Sequence, residues 1–354
     1  MIDFTSSLYL AMKHGSTELN GWDQLTAGVP AILREPPESR EVSEWVARMQ
    51  RLETGVCAPS TLHLYFDLFE LLKKKRIVLF IDEKIYPVSK YGIEKFPANQ
   101  IRLFRHFDAV HLNGLVKANV TKSTIPVIMT DGWCPLCGKA APVDRYLSMI
   151  GPFNGIVVID DTQAFGILGE QQDAAMPFGN GGGGTLKWLN IVSDRVVTVI
   201  SLAKAFGAPM AVLSGTSTFV SAYKKSSKTR VHSSQVSLVH LQAALNALKI
   251  NYDKGDKLRS KLWENIRLLK NKIWQKGLLA AGGIFPVQNI SCGSSDETIS
   301  LYERLNRNNI RTVLLSPHDA QIPVVSFIIR SDQTPWQINQ LAAHIPPRSL
   351  TPIY

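Results

Sequence analysis

The sequence predicts an α/β fold: a large domain with a doubly wound, mainly parallel sheet, followed by a small α+β C-terminal domain. Short apolar runs rich in β-branched residues, among them IVLFID, GIVVIDD and RVVTVISL, alternate with helical patterns up to about residue 215. Near-continuous apolar strands between helices indicate a parallel sheet that is covered on both faces. The tail alternates strands and helices after one long helical stretch, which is typical of a second, smaller domain.

The predicted elements of the large domain run in order along the chain. Helices are expected at about 40–53, 61–75, 87–95, 109–118 and 143–150, and strands at 77–82, 101–107, 125–130, 155–161, 195–202 and 210–215. The stretch TGVCAPS, residues 54–60, carries no assignment. Residues 1–40 are expected to form an extended arm with turns, because AGVPAILREPPESRE contains three prolines, too many for an element interior.

The C-terminal part begins with a helical pattern at 234–277, in which a break is expected near 251–255. Strands are expected at 285–291, 310–316 and 324–330, and helices at 297–308 and 335–345. The predicted domains are therefore an N-terminal arm at 1–40, a large domain at 41–245 and a small domain at 246–354, which takes in the long connecting helix.

Length and composition restrict the class of protein. The chain has 354 residues, of which 45% are hydrophobic and 19% charged, as expected for two closely joined globular domains. No apolar run reaches the ~18–20 residues that cross a bilayer, and MIDFTSSLYLAMKHG lacks the basic start of a signal peptide. Four cysteines in a chain of this size do not form a disulfide framework. We therefore expect a cytoplasmic protein with no membrane partner.

The net charge of +10 does not by itself indicate a nucleic-acid partner. The basic segment KKSSKTR, residues 224–230, contains no aromatic side chain on which a base could stack. The lysines between 254 and 276 punctuate a helical pattern, as on a solvated helix face. Solvation, or attraction of an anionic small-molecule substrate, explains these charges better than nucleic-acid binding.

Unusual polar residues follow three of the predicted strands. Asp160 and Asp161 end GIVVIDD, Ser201 and Lys204 follow RVVTVI, and Asp82 ends IVLFID. Ligands of open α/β sheets bind beyond the carboxyl ends of the strands, so these groups predict a pocket that holds an amine and at least one carboxylate. A buried carboxylate needs a cationic partner, either within the protein or on a cofactor such as a protonated ring nitrogen.

Two of the candidate residues each allow two interpretations. Lys204, in SLAKAFGAP, is either a snorkelling side chain or an amine whose burial lowers its pKa and makes it a nucleophile. Ser60, before the helix TLHLYFDLF, is either a simple N-cap or part of a phosphate site at the helix start.

These segments resemble the pyridoxal-phosphate enzymes of fold type I, the aspartate aminotransferase superfamily. The most similar group is the α-oxoamine synthases, typified by amino-oxononanoate synthase. Its DDAH-GFG-LG segment is matched by residues 160–169, DDTQAFGILG, and its T-SKAFG segment by residues 201–207, SLAKAFG. The opening DFTSSLYLAM and the stretch FRHFDAVHL are also similar to that group, and the resemblance covers about residues 3–345.

The resemblance implies pyridoxal phosphate as the cofactor and assigns a role to each matching residue. Lys204 is expected to form the internal aldimine and then to act as the base, and Asp160 to keep the ring nitrogen protonated. The other implied cofactor-binding residues are Ser60, Thr61 and Ser201 for the phosphate, and Gln163 and Tyr86 for the ring. Ser233 matches a position from which the partner subunit contacts the phosphate, which implies a homodimer with shared active sites.

The substrate-binding positions depart from the group's pattern. Gln163 replaces a histidine, Pro135 replaces a serine, and Ser326 stands where an arginine for the substrate carboxylate is expected, with Arg330 out of register. The expected function is a pyridoxal-phosphate-dependent transferase acting on an amine or amino acid, with an acyl thioester as a candidate second substrate.

Two alternatives remain open from the sequence. The departures allow a non-catalytic scaffold or partner subunit that keeps the fold without turnover. The C-x-x-C motif of Cys134 and Cys137 allows a dithiol redox protein, whereas Cys57 and Cys292 do not complete a four-thiolate metal site. No metal is expected, and the glycine run at 181–184 is not a phosphate-binding P-loop because no Lys-Ser/Thr follows in register.

Overall fold

The computed structural model describes residues 1–15, 19, 22, 25–73, 75–171, 176–316 and 322–347. Their contacts group into two units. The larger unit comprises Met12–Trp133 and Ala140–Asp253, and the smaller comprises Met1–Ala11, Cys134–Lys139 and the chain from Lys254 onward. Among the described helices, none combines the length and the apolar character needed to span a bilayer.

The larger unit is built on a seven-stranded sheet. Its strands are β2 (Thr54–Ala58), β3 (Ile77–Asp82), β4 (Ile101–Phe104), β5 (Ile125–Asp131), β8 (Ile156–Asp160), β9 (Val196–Ser201) and β10 (Ala211–Gly215), and β6 (Trp133–Cys134) with β7 (Lys139–Ala140) forms a separate two-stranded sheet. The order is β2-β10-β9-β8-β5-β3-β4, and all neighbours are parallel except that β10 runs antiparallel to both β9 and β2. The predicted mainly parallel α/β fold is confirmed.

Helices cover both faces of this sheet. They are α1 (Pro37–Met49), α2 (Thr61–Leu72), α3 (Ala109–Asn119), α4 (Val143–Ile150), α5 (Thr185–Trp188), α6 (Ser217–Ser226) and α7 (Thr229–His232). Alternate residues of β3 explain the arrangement, because Leu79 packs in a cluster with Leu68 of α2, while Phe80 packs in a second cluster with Leu112 of α3. Side chains of a strand alternate between faces, so a strand that is apolar throughout is buried by a layer on each side.

The smaller unit contains a three-stranded antiparallel sheet, β11-β14-β13, and a two-stranded pair, β1-β12. The elements are β1 (Ile2–Asp3), β11 (Val287–Ile290), β12 (Ile310–Arg311), β13 (Val313–Leu315), β14 (Val324–Ile328), α9 (Ser295–Arg307) and α10 (Pro335–His344). Capping boxes begin both helices, Ser294 with Glu297 and Thr334 with Gln337, and satisfy backbone N–H groups that the first turn leaves free. The long helix α8 (Leu238–Trp274) has residues in both units.

Four local predictions differ from the structure. Residues 54–60 contain the strand β2, and the segment at 310–316 forms two short strands instead of one. The helix expected at 87–95 is two 3₁₀ turns separated by Gly92, whose φ of 106° is incompatible with a continuing helix. Helix α8 is unbroken at 251–255, because a single Gly255 costs only about 1 kcal/mol in a helix of this length.

Candidate active site

The carboxyl ends of three neighbouring parallel strands bring two predicted residues, Asp160 and Ser201, together with Asp131. Asp160 is the last residue of β8, Ser201 is the last residue of β9, and Asp131 is the last residue of β5. The strands β5, β8 and β9 are adjacent, with Asp131 paired to Asp160 in register. Ligands of open α/β sheets bind at this edge, where each buried strand gives way to a polar loop.

Asp160 is a buried acceptor that is held by three donors. Tyr65 Oη donates to Asp160 Oδ2 at 3.0 Å, Ser89 Oγ donates to the same oxygen at 3.3 Å, and the Thr162 amide donates to Oδ1 at 3.1 Å. Only 6% of Asp160 is exposed. Burial, together with the neighbouring charge of Asp160, raises the pKa of Tyr65 well above its usual value, so the phenol stays protonated and keeps donating.

Asp161 stabilises the local fold next to the site. Its carboxylate accepts from the Thr185 amide at 2.9 Å and from Thr185 Oγ1 at 2.5 Å, which fixes the start of α5. Burial raises the pKa of Asp161 to about 7, against the effect of these hydrogen bonds. Consecutive side chains at a strand end point to opposite faces, so the Asp160–Asp161 pair divides into one carboxylate for the site and one for the fold.

Lys204 follows β9 in the turn that leads to β10. Its side chain is half-buried, and burial lowers the pKa of the ammonium group despite the opposing charges of Asp160 and Asp131. The turn is fixed at both ends, since Ser201 Oγ accepts from the Ala203 amide at 3.3 Å and the carbonyl of Phe206 lies 3.0 Å from a ring nitrogen of His14. A fixed lysine with a lowered pKa is a competent nucleophile and base.

Asp131 occupies the place that sequence reasoning gave to Asp82. Both Asp131 carboxylate oxygens accept from the Tyr86 amide at 3.2 Å, and the Tyr86 ring centroid lies 5.9 Å from Lys204 Nζ. Asp82 instead accepts from the Phe107 amide at 3.0 Å and lies 2.8 Å from His106 Nδ1. The order of the strands explains the difference, because β5 lies between β3 and β8.

Ser60 and Thr61 begin helix α2 as expected, but Ser60 does not cap it through its side chain. Ser60 Oγ lies 2.9 Å from His63 Nδ1, and its hydroxyl makes no capping hydrogen bond among the described residues. Thr61 is the first helical residue and is half-buried. The side chain of Ser60 therefore leaves the first amides of this helix available to an anion.

The contacts described for Ser233 and Gln163 do not test the roles expected for them. Ser233 Oγ donates to the Thr229 carbonyl at 2.6 Å, and the residue lines a small cavity that it shares with Cys57 and Pro59, directly before Ser60. Gln163 is half-buried in the turn that follows β8. The roles expected for Ser233 and Gln163 remain predictions.

Ser326 and Arg330, at positions where the sequence departs from the group's substrate-binding pattern, make hydrogen bonds and ion pairs within the smaller unit. Ser326 is buried on β14, and its hydroxyl donates to Asn289 Oδ1 on the neighbouring strand β11. Arg330 lies two residues beyond the end of β14, where its guanidinium contacts Asp3 at 3.3 Å and Asp332 at 3.0 Å. Arg330 is therefore an ion-pair residue of the smaller unit, outside the strand on which it was expected.

The donors and acceptors at the sheet edge fit pyridoxal phosphate. A cationic ring nitrogen matches the buried Asp160 carboxylate, an aldehyde matches the Lys204 amine, and a phosphate matches a helix start with hydroxyls beside it. Among the contacts described for it, Asp160 accepts hydrogen bonds only from neutral hydroxyl and amide donors, so a cationic group on a ligand suits this carboxylate.

Comparison with known proteins decides the family. The model of the family described as aminotransferase class I and II matches residues 92–322, which is more than half of the chain. The chain belongs to this family. Family membership confirms the predicted class, a pyridoxal-phosphate-dependent transferase of the aminotransferase type, and the resemblance on which that prediction rested.

Similar proteins carry the names 8-amino-7-oxononanoate synthase and serine palmitoyltransferase. An 8-amino-7-oxononanoate synthase of Petrotoga mobilis is 26% identical over 293 residues, which is 82% of this chain and 72% of the relative. The crystal structure of 8-amino-7-oxononanoate synthase from Francisella tularensis matches with a TM-score of 0.77 at 20% identity, over 97% of this chain and 96% of that chain. Serine palmitoyltransferase of Sphingomonas wittichii matches with a TM-score of 0.84 at 14% identity, over 97% and 86%. The structural matches confirm the fold.

Sequence reasoning missed three side chains of the site: Tyr65, Ser89 and Asp131. Tyr65 lies inside an apolar helix and reads as a core aromatic, although a buried phenol needs a hydrogen-bond partner. Asp131 had a signal that was available, since IPVIMTD ends in an acid followed by Gly132, like the two strands that were singled out.

Proposed function

We propose that this chain holds pyridoxal phosphate on Lys204 and transfers an acyl group from a thioester to an amino acid or amine. One observation carries the proposal: the half-buried Lys204 follows the end of β9, the buried Asp160 ends the adjacent strand β8, and the charge of Asp160 acts on the lowered pKa of Lys204. The names of the relatives support acyl transfer as the reaction, since one similar structure is a serine palmitoyltransferase.

When bound, pyridoxal phosphate supplies an electron sink that stabilises negative charge on the carbon next to the substrate nitrogen. Asp160 would keep the ring nitrogen protonated, and Tyr65, Ser89 and the Thr162 amide hold its carboxylate in place. Lys204 Nζ would hold the cofactor through its aldehyde group and would then be placed to take the proton from the substrate α-carbon. Its lowered pKa matters for both steps, because only the neutral amine attacks or accepts a proton.

Phosphate binding is assigned to the start of α2 and to the hydroxyl that ends β9. Thr61 and the amides of the first turn of α2 present N–H groups and a positive dipole end, and Ser201 adds a hydroxyl three residues before Lys204. Tyr86, whose ring centroid lies 5.9 Å from Lys204 Nζ, would cover the cofactor ring, and Gln163 would contact that ring from the turn after β8.

A homodimer in the cytoplasm is part of the proposal. Ser233 is expected to reach the phosphate of the partner subunit's site, so each active site is shared. All four cysteines are free thiols, which fits a reducing compartment.

The test is an assay of thiol release from an acyl thioester, run with and without each amino acid after the protein is loaded with pyridoxal phosphate. Thiol release that depends on the amino acid and is lost in Lys204→Ala supports the proposal. Lys270→Ala is the matched control, because Lys270 is also partly buried with a lowered pKa but bonds the Gly283 carbonyl. Cofactor binding without a response to any amine would favour the non-catalytic scaffold instead.

A further inference from the structure

The C-x-x-C motif lies in a small hairpin that the proposed transferase chemistry does not use. Cys134 ends β6, Lys139 begins β7, and residues 135–138 form the turn between them. The amide of Cys137 donates to Cys134 Sγ at 3.4 Å, and the amide of Gly138 donates to the Cys134 carbonyl at 2.9 Å. The two sulfur atoms lie within 4.8 Å of each other.

The turn is fixed by its surroundings in the smaller unit. Gly138 has a φ of 65°, and a Cβ at that position would lie 2.6 Å from the carbonyl carbon of Gly282. Backbone packs directly on backbone here, so the turn is constrained to keep Cys134 and Cys137 together. Two cysteines held this close need only a small side-chain rotation to reach the 2.03–2.05 Å of a disulfide, which is roughly a bond length of movement per residue.

The two thiols differ in access and acidity. Cys137 is exposed, whereas Cys134 is 9% exposed. The hydrogen bond with Cys134, helped by the backbone amides and the charge of Lys139, lowers the pKa of Cys137 to about 7 against partial burial. Burial raises the pKa of Cys57 to about 12, and it also raises that of Cys292. Of Cys57, Cys137 and Cys292, Cys137 is therefore the thiol that is most ionised at neutral pH.

We propose that Cys134 and Cys137 are a reversible dithiol–disulfide pair that is oxidised by low-molecular-weight disulfides. The Cys137 thiolate attacks one sulfur of the small disulfide, whose S–S bond breaks and releases one thiolate with the bonding electron pair. Cys134 then gives its proton to solvent, attacks Cys137 Sγ and displaces the second thiolate. In total, two protein thiols are oxidised by two electrons, and one small disulfide is reduced to two thiols.

The order of attack follows from access. An incoming disulfide reaches the exposed Cys137 first, and the buried Cys134 reacts only with a sulfur that is already bound to Cys137. The half-buried Cys292 and the buried Cys57 are expected to stay reduced, because burial raises the pKa of each thiol and keeps it protonated at neutral pH.

The test treats the full-length reduced protein with oxidised glutathione and maps its peptides by mass spectrometry. The expected product is a Cys134–Cys137 disulfide, seen as the loss of two hydrogen atoms from one peptide and reversed by reduced glutathione. Cys134→Ser is expected to stop at glutathione attached to Cys137, and Cys137→Ser to remain unmodified. Cys292→Ser is the control and is expected to form the disulfide as wild type does.

A second measurement requires no variant. Alkylation of the reduced wild-type protein at pH 7 is expected to label Cys137 at least about tenfold faster than Cys292, because only one of these thiols is substantially ionised. The proposal is wrong if oxidised glutathione leaves both thiols reduced, or if Cys134→Ser traps no glutathione on Cys137. Equal alkylation rates, or a bound zinc ion whose removal is needed before either thiol reacts, would also overturn it.

Discussion

Buried polar side chains serve different ends in the two units. In the larger unit, the donors described for Asp160 are all neutral, and burial lowers the pKa of Lys204 against the charge of Asp160. In the smaller unit, Ser326 donates to Asn289 and Arg330 is placed between two aspartates. The first arrangement suits a cationic group on a ligand, whereas in the second the protein supplies the partners itself.

The difference between the units indicates which polar side chains contribute to stability and which contribute to function. Polar groups whose partners are all internal contribute to stability, and their loss is measured as a change in the free energy of unfolding. Polar groups that await a charged ligand contribute to function, and their loss is measured in binding and turnover. Substitutions in each unit can therefore be sorted by which quantity they change.

Among substitutions that keep Lys204, the largest loss of turnover is expected at Asp160. Asp160→Asn removes the negative charge that pairs with the ring nitrogen, and turnover is expected to fall by about 100- to 1,000-fold while the fold is kept. The neighbouring Asp161→Asn is the matched control: it weakens the bonds to Thr185 and is expected to lower the free energy of unfolding by about 1–3 kcal/mol. If Asp161→Asn lowered turnover and Asp160→Asn only lowered the free energy of unfolding, the assignment of Asp160 to the site and Asp161 to the fold would be wrong.

Glu70 tests the stability half of the comparison within the larger unit. This buried carboxylate contacts Lys73 at 2.6 Å, Lys95 at 3.1 Å and Lys228 at 3.1 Å, and these ammonium groups outweigh burial and lower its pKa to about 2. Glu70→Gln is expected to lower the free energy of unfolding by about 3 kcal/mol at pH 7 and to leave cofactor binding unchanged.

The pH dependence of that loss has a definite sign. A carboxylate with a lowered pKa stabilises the folded protein fully above its unfolded value of 4.5, and the stabilisation is lost as the pH falls toward about 2. The difference in free energy of unfolding between wild type and Glu70→Gln should therefore be constant above about pH 5 and shrink below it. Denaturant titrations at a series of pH values measure this, and a difference independent of pH would refute the assignment.

Tyr65→Phe removes the shorter of the two hydroxyl donors to Asp160. The carboxylate keeps Ser89 and the Thr162 amide, so turnover is expected to fall by only about tenfold, which is ~1.4 kcal/mol. A pH–rate profile should shift in this variant, because the positioned carboxylate sets the protonation of the cofactor ring. An unchanged profile together with unchanged turnover would show that Tyr65 only fills the core.

The smallest effect is expected at Ser326. Ser326→Ala loses one hydrogen bond to Asn289 and is expected to lower the free energy of unfolding by about 1 kcal/mol, with no change in affinity for pyridoxal phosphate. Thermal unfolding and a cofactor titration on the same samples measure both quantities. A marked loss of cofactor affinity would remove the contrast between the units.

The sequence was sufficient for the parts of the fold that repeat a simple pattern. Apolar strands such as β3 and β8 are predictable because burial on both faces leaves no room for polar residues. Strand β2 was missed because TGVCA has little β-branched character, and it is a strand because β10 offers it an antiparallel partner. The turns at 87–95 were taken as a helix because Gly92 acts through its backbone conformation, which a hydrophobic pattern does not report.

The sequence predicted the charged residues of the site better than it predicted which residues contact one another. Asp160 and Lys204 stand out because each is a charged residue beside a buried strand. Asp82 and Asp131 have the same signature, and only the strand order places Asp131 beside Asp160. That order results from pairing between distant segments, which local sequence does not encode.

The most direct measurement identifies the lysine that carries the cofactor. The protein is loaded with pyridoxal phosphate, reduced with borohydride, digested and mapped by mass spectrometry, with absorbance near ~420 nm recorded before reduction. The account predicts the cofactor mass on the peptide that contains Lys204, its absence in Lys204→Ala and its persistence in Lys270→Ala. A label on another lysine, or a colourless protein that takes up no cofactor, would contradict the account.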